Sequence, residues 1–436
     1  MSQQANLDTI STVGNLVHTN FMGRVQPHLE FMGPTLALFK RAGPGEFVLT
    51  GENLKFAGDV TYSGGALATT GWLPDHEYVD PVQFTTTPVR IYVRRAVDSF
   101  IAARATGEGS FEDFVGRVME QLWDAFERTQ NRHVHGSSDG TVCLTSARTS
   151  ATVIVMKDGY GHTGMDPLMF LEAGMTMAWL DASNSYEVGG SGVIDTVAYT
   201  TDTVTFAASI ENGSGTPTIV AGDPWVFSTT TPYTASHFDT EYTNAPLGLM
   251  DHIDSAAASV TYLGVSESTY PRIKPVNVTA STLDEVSIME FVSELEAKGT
   301  SPVTPQSHTS ILHPSAWLEL SKSLVPYTQI QQKGKELPGG WTAVNIAGHD
   351  YLKDPWTLHN VMYCLDMRDM RVADLDGDAR LWAEDGNEWS RIADFDGREV
   401  FARHYVARYM TRRNRSGSLS GFTVANASNY TPTPNY

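Results

Sequence analysis

Between Asp158 and Pro271 the sequence contains no lysine and no arginine, while 14 aspartates and glutamates fall in that stretch. A block of that kind is repelled by nucleic acid, so no nucleic-acid-binding face is expected from it. Cysteine is almost absent as well. Cys143 and Cys364 are too few for a disulfide framework and lack metal-ligand spacing. Reduced thiols in a cytoplasm fit them best, with a structural pair as the alternative. No run of about 18 apolar residues occurs, which excludes a spanning helix. The opening MSQQANLDTISTVGN has no basic region followed by an apolar stretch, so no secretory signal is expected. The sequons at Asn212, Asn277, Asn426 and Asn429 then carry no meaning for glycosylation. No period of 20–50 residues repeats, which disfavours solenoids and propellers.

Catalytic signatures are missing too. There is no P-loop, HExxH, GxSxG or Cys/His nucleophile pattern. Gly159-Tyr-Gly161-His-Thr-Gly164 matches the dinucleotide fingerprint and follows a strand, with a helix candidate at Asp166–Gly174 behind it and Asp181 further on. No second and third βα units follow it, so a connector between two units is the plainer reading. Asp374-Leu-Asp376-Gly-Asp378 opens like a calcium loop, but the register then places Ala379 and Asp385 where Gly and Glu are needed. His133 and His135 with Cys143 lack a suitably spaced fourth ligand, and histidines at a helix C-terminus are favoured by the dipole alone. No catalytic, cofactor-binding or metal-binding residue is therefore assigned, and no enzyme activity is expected.

What is present is a folded composition, 41% hydrophobic and 18% charged, in a chain of 436 residues and net charge −20. The cations are concentrated late, with Arg398, Arg403, Arg408, Arg412, Arg413 and Arg415 in one short span. Residues 1–42 read as an arm, where Ile10, Val13, Leu16 and Val17 have helical spacing broken by glycine and proline. A long extended excursion occupies 43–97, opening at Gly43-Pro-Gly45 and passing Ser63-Gly-Gly65. It returns on Val89, Ile91 and Val93 with Arg90, Tyr92 and Arg94 on the other face, a half-buried strand. So long a hairpin, with little apolar content at its tip, is expected to find its burial on other chains.

The spacing predicts an amphipathic helix over 110–132, N-capped by Ser110 with Asp113 near a capping box. Phe111, Phe114, Val115, Val118, Leu122 and Phe126 form its stripe, and Asp113–Arg117 and Asp124–Arg128 are i,i+4 pairs. A polar turn, His135-Gly-Ser-Ser-Asp-Gly140, leads into a strand at Ala151–Met156. Residues 175–245 read as short strands, including a hairpin of Val193–Tyr199 with Val204–Ala207 and two strand pieces within Thr218–Phe227, together a small β-barrel or sandwich. Helices are predicted at Leu283–Lys298, apolar at Val286, Met289, Phe291, Val292 and Leu295, and at Pro314–Leu324. Val361–Arg412 is strand-rich, and Ser416–Tyr436 reads as an irregular tail.

The order of these pieces resembles the major capsid proteins of tailed bacteriophages, the Hong Kong 97-type fold. The resemblance rests on the arm, the hairpin whose return ends at Val97-Asp-Ser-Phe100, the helix carrying Phe111–Phe126, and the turn Asn131–Gly140. It also rests on Ile311-Leu-His-Pro-Ser-Ala-Trp317, Leu337-Pro-Gly-Gly-Trp-Thr-Ala-Val344, and Ala393-Asp-Phe-Asp-Gly-Arg-Glu-Val400 through Tyr409. The resemblance implies an α+β Hong Kong 97-like capsid fold with an inserted small barrel or sandwich. Its parts would be an arm at 1–42, an E-loop hairpin at 43–97 and a peripheral domain with spine helix at 98–160. An axial domain would follow at 161–360, holding the β insertion at 175–245, then return strands at 361–415 and a tail at 416–436.

The Pro167–Thr243 β region exceeds what a minimal capsid subunit needs, and no crosslink or self-cleavage signature is evident, so Lys55 is read as a plain surface cation. What the resemblance implies further is a structural virion protein, assembled in the host cytoplasm as homo-hexamers and homo-pentamers of an icosahedral shell. Portal and scaffolding proteins, decoration proteins on the outer face, and packaged double-stranded DNA bound without sequence specificity are the implied partners, with no membrane. The acidic block is expected on the outer face or around capsomer centres, and the Arg-rich strand at subunit contacts or on the inner face. An encapsulin-type nanocompartment and a β-rich surface adhesin are the alternatives.

Overall fold

The computed structural model describes residues 33–43, 45–50, 53–58, 82–98, 108–163, 165–182, 187–210, 218–228, 245–253, 261–299, 302–324, 344–346, 349–375, 380–381, 390–391 and 397–424. The arm positions Ile10 to Val17, the hairpin segment around Ser63–Gly65, and most of Leu337–Val344 lie outside them.

Along the chain, β1 (Lys40–Arg41) precedes the hairpin strands β2 (Val48–Thr50), β3 (Asn53–Gly58) and β4 (Val82–Thr86). The return strand β5 (Val89–Asp98) leads to α1 (Glu108–His135). A β-rich stretch follows: β6 (Cys143–Arg148), β7 (Val153–Lys157), β8 (Thr176–Asp181), β9 (Glu187–Ala198), β10 (Thr203–Phe206) and β11 (Pro224–Phe227). After α2 (Leu249–Ile253) come the two-residue strands β12 (Thr261–Tyr262) and β13 (Val265–Ser266), then β14 (Val276–Thr279) and α3 (Glu285–Gly299). β15 (His308–Leu312), α4 (Pro314–Leu324), β16 (Val344–Ile346) and β17 (His349–Lys353) follow. The chain closes with β18 (Val361–Asp366), β19 (Met370–Asp374), β20 (Arg380–Leu381), β21 (Ser390–Arg391), β22 (Gly397–Met410) and β23 (Gly417–Ser420).

Among the described residues the strands form three large β layers, with the smaller sheets β2-β3-β4 and β12-β13 beside them. In the first, β22 pairs along one edge with β5, from Val406↔Val89 to Gly397↔Asp98, and along the other with β19, β20 and β21. Its alternation decides the packing. Ile91, Val400, Ala402 and Val406 turn to one face and close on Met119, Leu122 and Phe126 of α1. The helix begins at Glu108, so Ser110 lies inside its first turn and is not the cap. An acidic residue at that end is favoured by the helix dipole. The stripe runs through Met119 as well as Leu122 and Phe126, while Val118 is only half-buried. Arg128 does not serve Asp124 four residues back; it reaches across to Glu172 and to the Met169 carbonyl.

The second layer is a six-stranded sheet in the order β14-β23-β18-β15-β17-β16. β18 shows why it reads as a continuous apolar run. Met362 and Cys364 face α3 and α4, while Val361, Tyr363 and Leu365 face the third layer. α3 is N-capped by Asp284, which accepts from the Ser287 amide at 2.8 Å. Its buried residues are Ile288, Phe291 and Leu295, whereas Val286 and Met289, assigned to the apolar face on spacing, stand in solvent at 64% and 56% exposure. The segment 416–436 is not wholly an irregular tail: β23 is an interior strand of this sheet, between β14 and β18.

The third layer is a closed barrel, β10-β7-β6-β11-β8-β9. Its strands run from Cys143 to Phe227, so it draws β6 and β7 from the region assigned to the helix-bearing domain. The barrel needs them, because β8–β11 alone leave β10 and β11 with unpaired edges that β7 and β6 close. The hairpin of β9 with β10 forms as the alternation indicates, with Val204 opposite Val197. Within Thr218–Phe227 only the second strand piece, β11, forms.

Candidate functional site

Where their residues are described, the motifs that could have carried chemistry have a structural occupation; Gly164, Asp376 and Asp378 lie outside the described residues. Gly159–Gly161 makes a short 3-10 turn, and the Asp166–Gly174 stretch behind it is a series of turns, not a helix, so there is no helix N-terminus to hold a pyrophosphate. The turn is tight instead: a Cβ at Gly159 would lie 2.3 Å from the Asp166 carbonyl oxygen. Asp374, first residue of the calcium-like segment, has its carboxylate already engaged, with His404 Nε2 2.8 Å from one oxygen and Arg41 Nε 3.2 Å from the other. Among the described residues no group of three or more His, Cys, Asp or Glu could hold a metal ion. Cys143 and Cys364 are free, buried thiols, and burial pushes both up, Cys364 to about 12.

One constellation escaped the sequence reading. His135 Nε2 lies 3.0 Å from Asp354 Oδ2, and Thr357 Oγ1 lies 3.0 Å from His135 Nδ1. That is the hydroxyl–imidazole–carboxylate order of a nucleophilic triad. Here both ring and carboxylate have 0% side-chain exposure, and Thr35 Oγ1 and the Trp356 amide occupy Asp354 as well, at 2.5 and 3.0 Å. Burial acts to raise the Asp354 carboxyl, but the His135 ring, the Thr35 hydroxyl and the Trp356 amide outweigh it and hold it below the usual range. A sealed hydroxyl offers no approach to a substrate. The cluster ties Thr35 and the C-terminus of α1 to the loop after β17. Asp354-Pro-Trp-Thr357 gives no local signal of this, because its partners lie 219 and 319 residues away.

The turn after α1 is held in the same manner. Asp251 accepts from the Ser138 amide at 2.6 Å and the Ser137 hydroxyl at 3.1 Å. Burial still raises its carboxyl to about 6. Two arginines of the Arg-rich span are internal, which corrects its assignment to contacts or to an inner face for Arg408 and Arg413. Arg408 and Arg413 are 2% and 1% exposed. Arg408 donates to Gln130 Oε1 at 2.6 Å and is lowered to about 10 by burial. Arg413 donates to the His252 carbonyl at 2.6 Å, pairs with Glu267 and stacks over Tyr262 at 4.0 Å. These guanidiniums are consumed inside the subunit, where a charge needs fixed partners.

What the fold leaves open is a set of strand edges and one sheet face. The hairpin base forms the sheet β2-β3-β4 and buries Leu54, Phe56 and Phe84 on the chain's own Tyr262, Ala407 and Tyr409. Burial only on other chains is therefore corrected for residues 53–58 and 82–86. Aromatic stacking explains it: Phe56 lies 4.1 Å from Tyr409 and 5.2 Å from Phe84, ring centre to centre. The outer strand of this sheet, β2, is different. Val48 and Leu49 are 62% and 51% exposed, and among the described residues β2 pairs with β3 alone.

No protein-family model matches the chain, and no curated protein matches it. Solved structures do. The solved structures that it resembles include phage capsids. The capsid asymmetric unit of cyanophage A-1(L) is 12% identical, covering 91% of this chain and 93% of that one, with a TM-score of 0.48. The capsid of Ralstonia phage GP4 is 13% identical over 91% of this chain and 89% of that one, with a TM-score of 0.41. An encapsulin complex from Synechococcus elongatus matches 37% of this chain and 56% of its own, at 12% identity and a TM-score of 0.27.

Proposed function

We propose that the chain is the shell-forming subunit of a tailed-phage head, assembling as hexamers and pentamers into an icosahedral container for double-stranded DNA. The observation that carries this reading is the contrast between sealed polar clusters and open strand edges. His135, Asp354 and Thr357 have the connectivity of a catalytic triad, yet they are spent on tying segments together. The hairpin base instead presents β2 with apolar residues in solvent and an outer edge that has no partner among the described residues. An exposed apolar strand edge is a template for another chain. The order of elements supports the reading: hairpin, return strand, one 28-residue helix about 42 Å long, then the long late strand β22 beneath that helix. In this reading 1–42 is the arm, 43–97 the E-loop and 98–160 with most of 361–415 the peripheral domain, while the sheet β14-β23-β18-β15-β17-β16, which takes β18 from 361–415 and β23 from the tail, belongs to the axial domain.

The test is to express the chain and examine its fractions by sedimentation and negative-stain microscopy. Closed shells of uniform size are expected, with nuclease-protected DNA in particles taken from infected cells. A stable monomer at micromolar concentration would overturn the reading, and shells that hold protein cargo in place of DNA would turn it toward a nanocompartment.

A further inference from the structure

The face of the β22 sheet turned away from α1 has two halves. The half at Ala407 and Tyr409 lies under the hairpin base. The other half has no element packed on it among the described residues and bears exposed Arg90, Tyr92 and Arg94 of β5 beside half-buried Arg403 and Tyr405 of β22. Period-two alternation puts these residues together, because Ile91 and Ala402 between them are buried against α1. Tyr92 is 48% exposed and the Arg94 side chain 66% exposed. The group is ordered: the Tyr92 and Tyr405 hydroxyls are 3.2 Å apart, and the Arg403 and Arg90 guanidiniums lie over the Tyr405 ring at 5.1 and 5.8 Å. Pre-organised arginine and tyrosine side chains are what a protein contact uses as anchors. β5 also has a free edge, since among the described residues it pairs with β22 alone.

The complement lies on the same chain. In the cation-free block most described acids are half-buried, buried or paired, as Glu267 is to Arg413 and Glu172 to Arg128. Asp195 and Asp202 are exposed on the β9–β10 hairpin and have no ion pair among the described residues. A polyanion fits the basic face less well, because Glu399 stands on it 3.5 Å from Arg94 and the chain as a whole carries a charge of −20.

We propose that this arginine–tyrosine face is a subunit contact, and that its occupant is the acidic β9–β10 hairpin of a second copy. The contact rests on the self-assembly proposed above and specifies where two copies meet.

The test compares wild type with R90E/R94E, D195K/D202K and an equimolar mixture of the two variants, reading self-association by sedimentation velocity and closed shells by microscopy. Each variant alone should lose association at least tenfold, and the mixture should regain it. R90Q/R94Q should show a smaller loss, which guards against misfolding of the charge reversal, and added salt should weaken the wild type. Unchanged association of R90E/R94E and R90Q/R94Q overturns the contact, as does a loss that the mixture fails to restore. Intact shells with reduced DNA content in R90E/R94E would assign the face to nucleic acid and overturn it too. Wild type that associates without closing shells removes the head-protein reading, and the contact then stands or falls on the charge reversal. A wild type that stays monomeric removes both.

Discussion

Arg413 and Glu267 form an ion pair inside the subunit, with side-chain exposures of 1% and 4%. The pair joins the cation-free block to the Arg-rich end of the chain. One charge from each of two regions of opposite sign, far apart in sequence, is therefore neutralised inside the fold. Removing one member strands the other without water. R413A should lower stability by about 3–5 kcal/mol, and E267Q by less, since the amide oxygen still accepts. Denaturant unfolding of dissociated subunits measures both, and an R413A loss below about 1 kcal/mol would contradict the assignment.

His252 sits next to that pair and sets a pH dependence. Burial lowers its ring to about 3, and Arg413 and Arg408 add to the effect. Its Nδ1 is 2.9 Å from the Tyr262 hydroxyl, and Phe39 packs beside it. The ring is neutral in the folded chain and protonates near pH 6.5 when unfolded. The folded value lies below the unfolded one, so its contribution is complete above about pH 6.5 and falls by about 1.4 kcal/mol per unit on acidification toward the folded value. Asp251, raised to about 6, acts in the opposite sense, which makes the variant comparison the informative one. Between pH 7 and pH 5 wild type should lose about 2 kcal/mol more than H252N. Equal slopes in urea titrations at the two pH values would exclude this role.

The hairpin base should open before the rest of the chain does. Phe56, Phe84 and Tyr409 hold it to β22 through stacked rings. F84A removes one of them, at about 3–5 kcal/mol for a buried aromatic. The loss should fall on local opening, because the α1–β22 core and the six-stranded sheet do not depend on this contact. Hydrogen exchange should show faster exchange at residues 53–58 and 82–86 with unchanged protection at 119–135. Uniform loss of protection would mean that the base is integral to the global unfolding unit.

Periodicity was the legible part of this fold. α1, α4, the β9–β10 hairpin and the β5 alternation all follow from apolar spacing, and α4 begins at Pro314, the position where proline is pre-set for a helix. Position in the tertiary structure was not legible in that way. Val286 and Met289 have the same helical spacing as Phe291 and Leu295, but the face they share has no neighbouring layer. Barrel membership escaped for a similar reason. β6 and β7 precede the other barrel strands by a stretch of turns, and only edge pairing reveals that they close it. Likewise the charge of Arg408 and Arg413 was evident but not its direction, because a strand's alternation does not say which face meets Gln130 or Glu267. The His135–Asp354 contact depended on three segments meeting, which no local pattern encodes.

The glycines of β9 give the sharpest test of the barrel. Trp179 and Ile210 press against this strand from within, and the Trp179 indole donates to the Ile210 carbonyl at 3.4 Å. A Cβ at Gly190 would lie 1.9 Å from that carbonyl oxygen, and one at Gly192 would lie 2.4 Å from Ile210 Cγ2. Backbone cannot yield as a flexible side chain does, so G190A should be the costlier of the two. Overpacking of this kind costs about 1–3 kcal/mol, and G190A belongs at or above the top of that range. Trp179 is fully buried, so its emission should shift to the red in G190A as the barrel loosens. G174A is the control for backbone conformation alone: Gly174 has a φ of +87° with no atom within 4 Å of its missing Cβ. It should be destabilised by about 1–2 kcal/mol through the left-handed backbone, with no change in tryptophan emission. If G190A matches G174A in both readouts, close approach of Ile210 is not what fixes glycine in this strand.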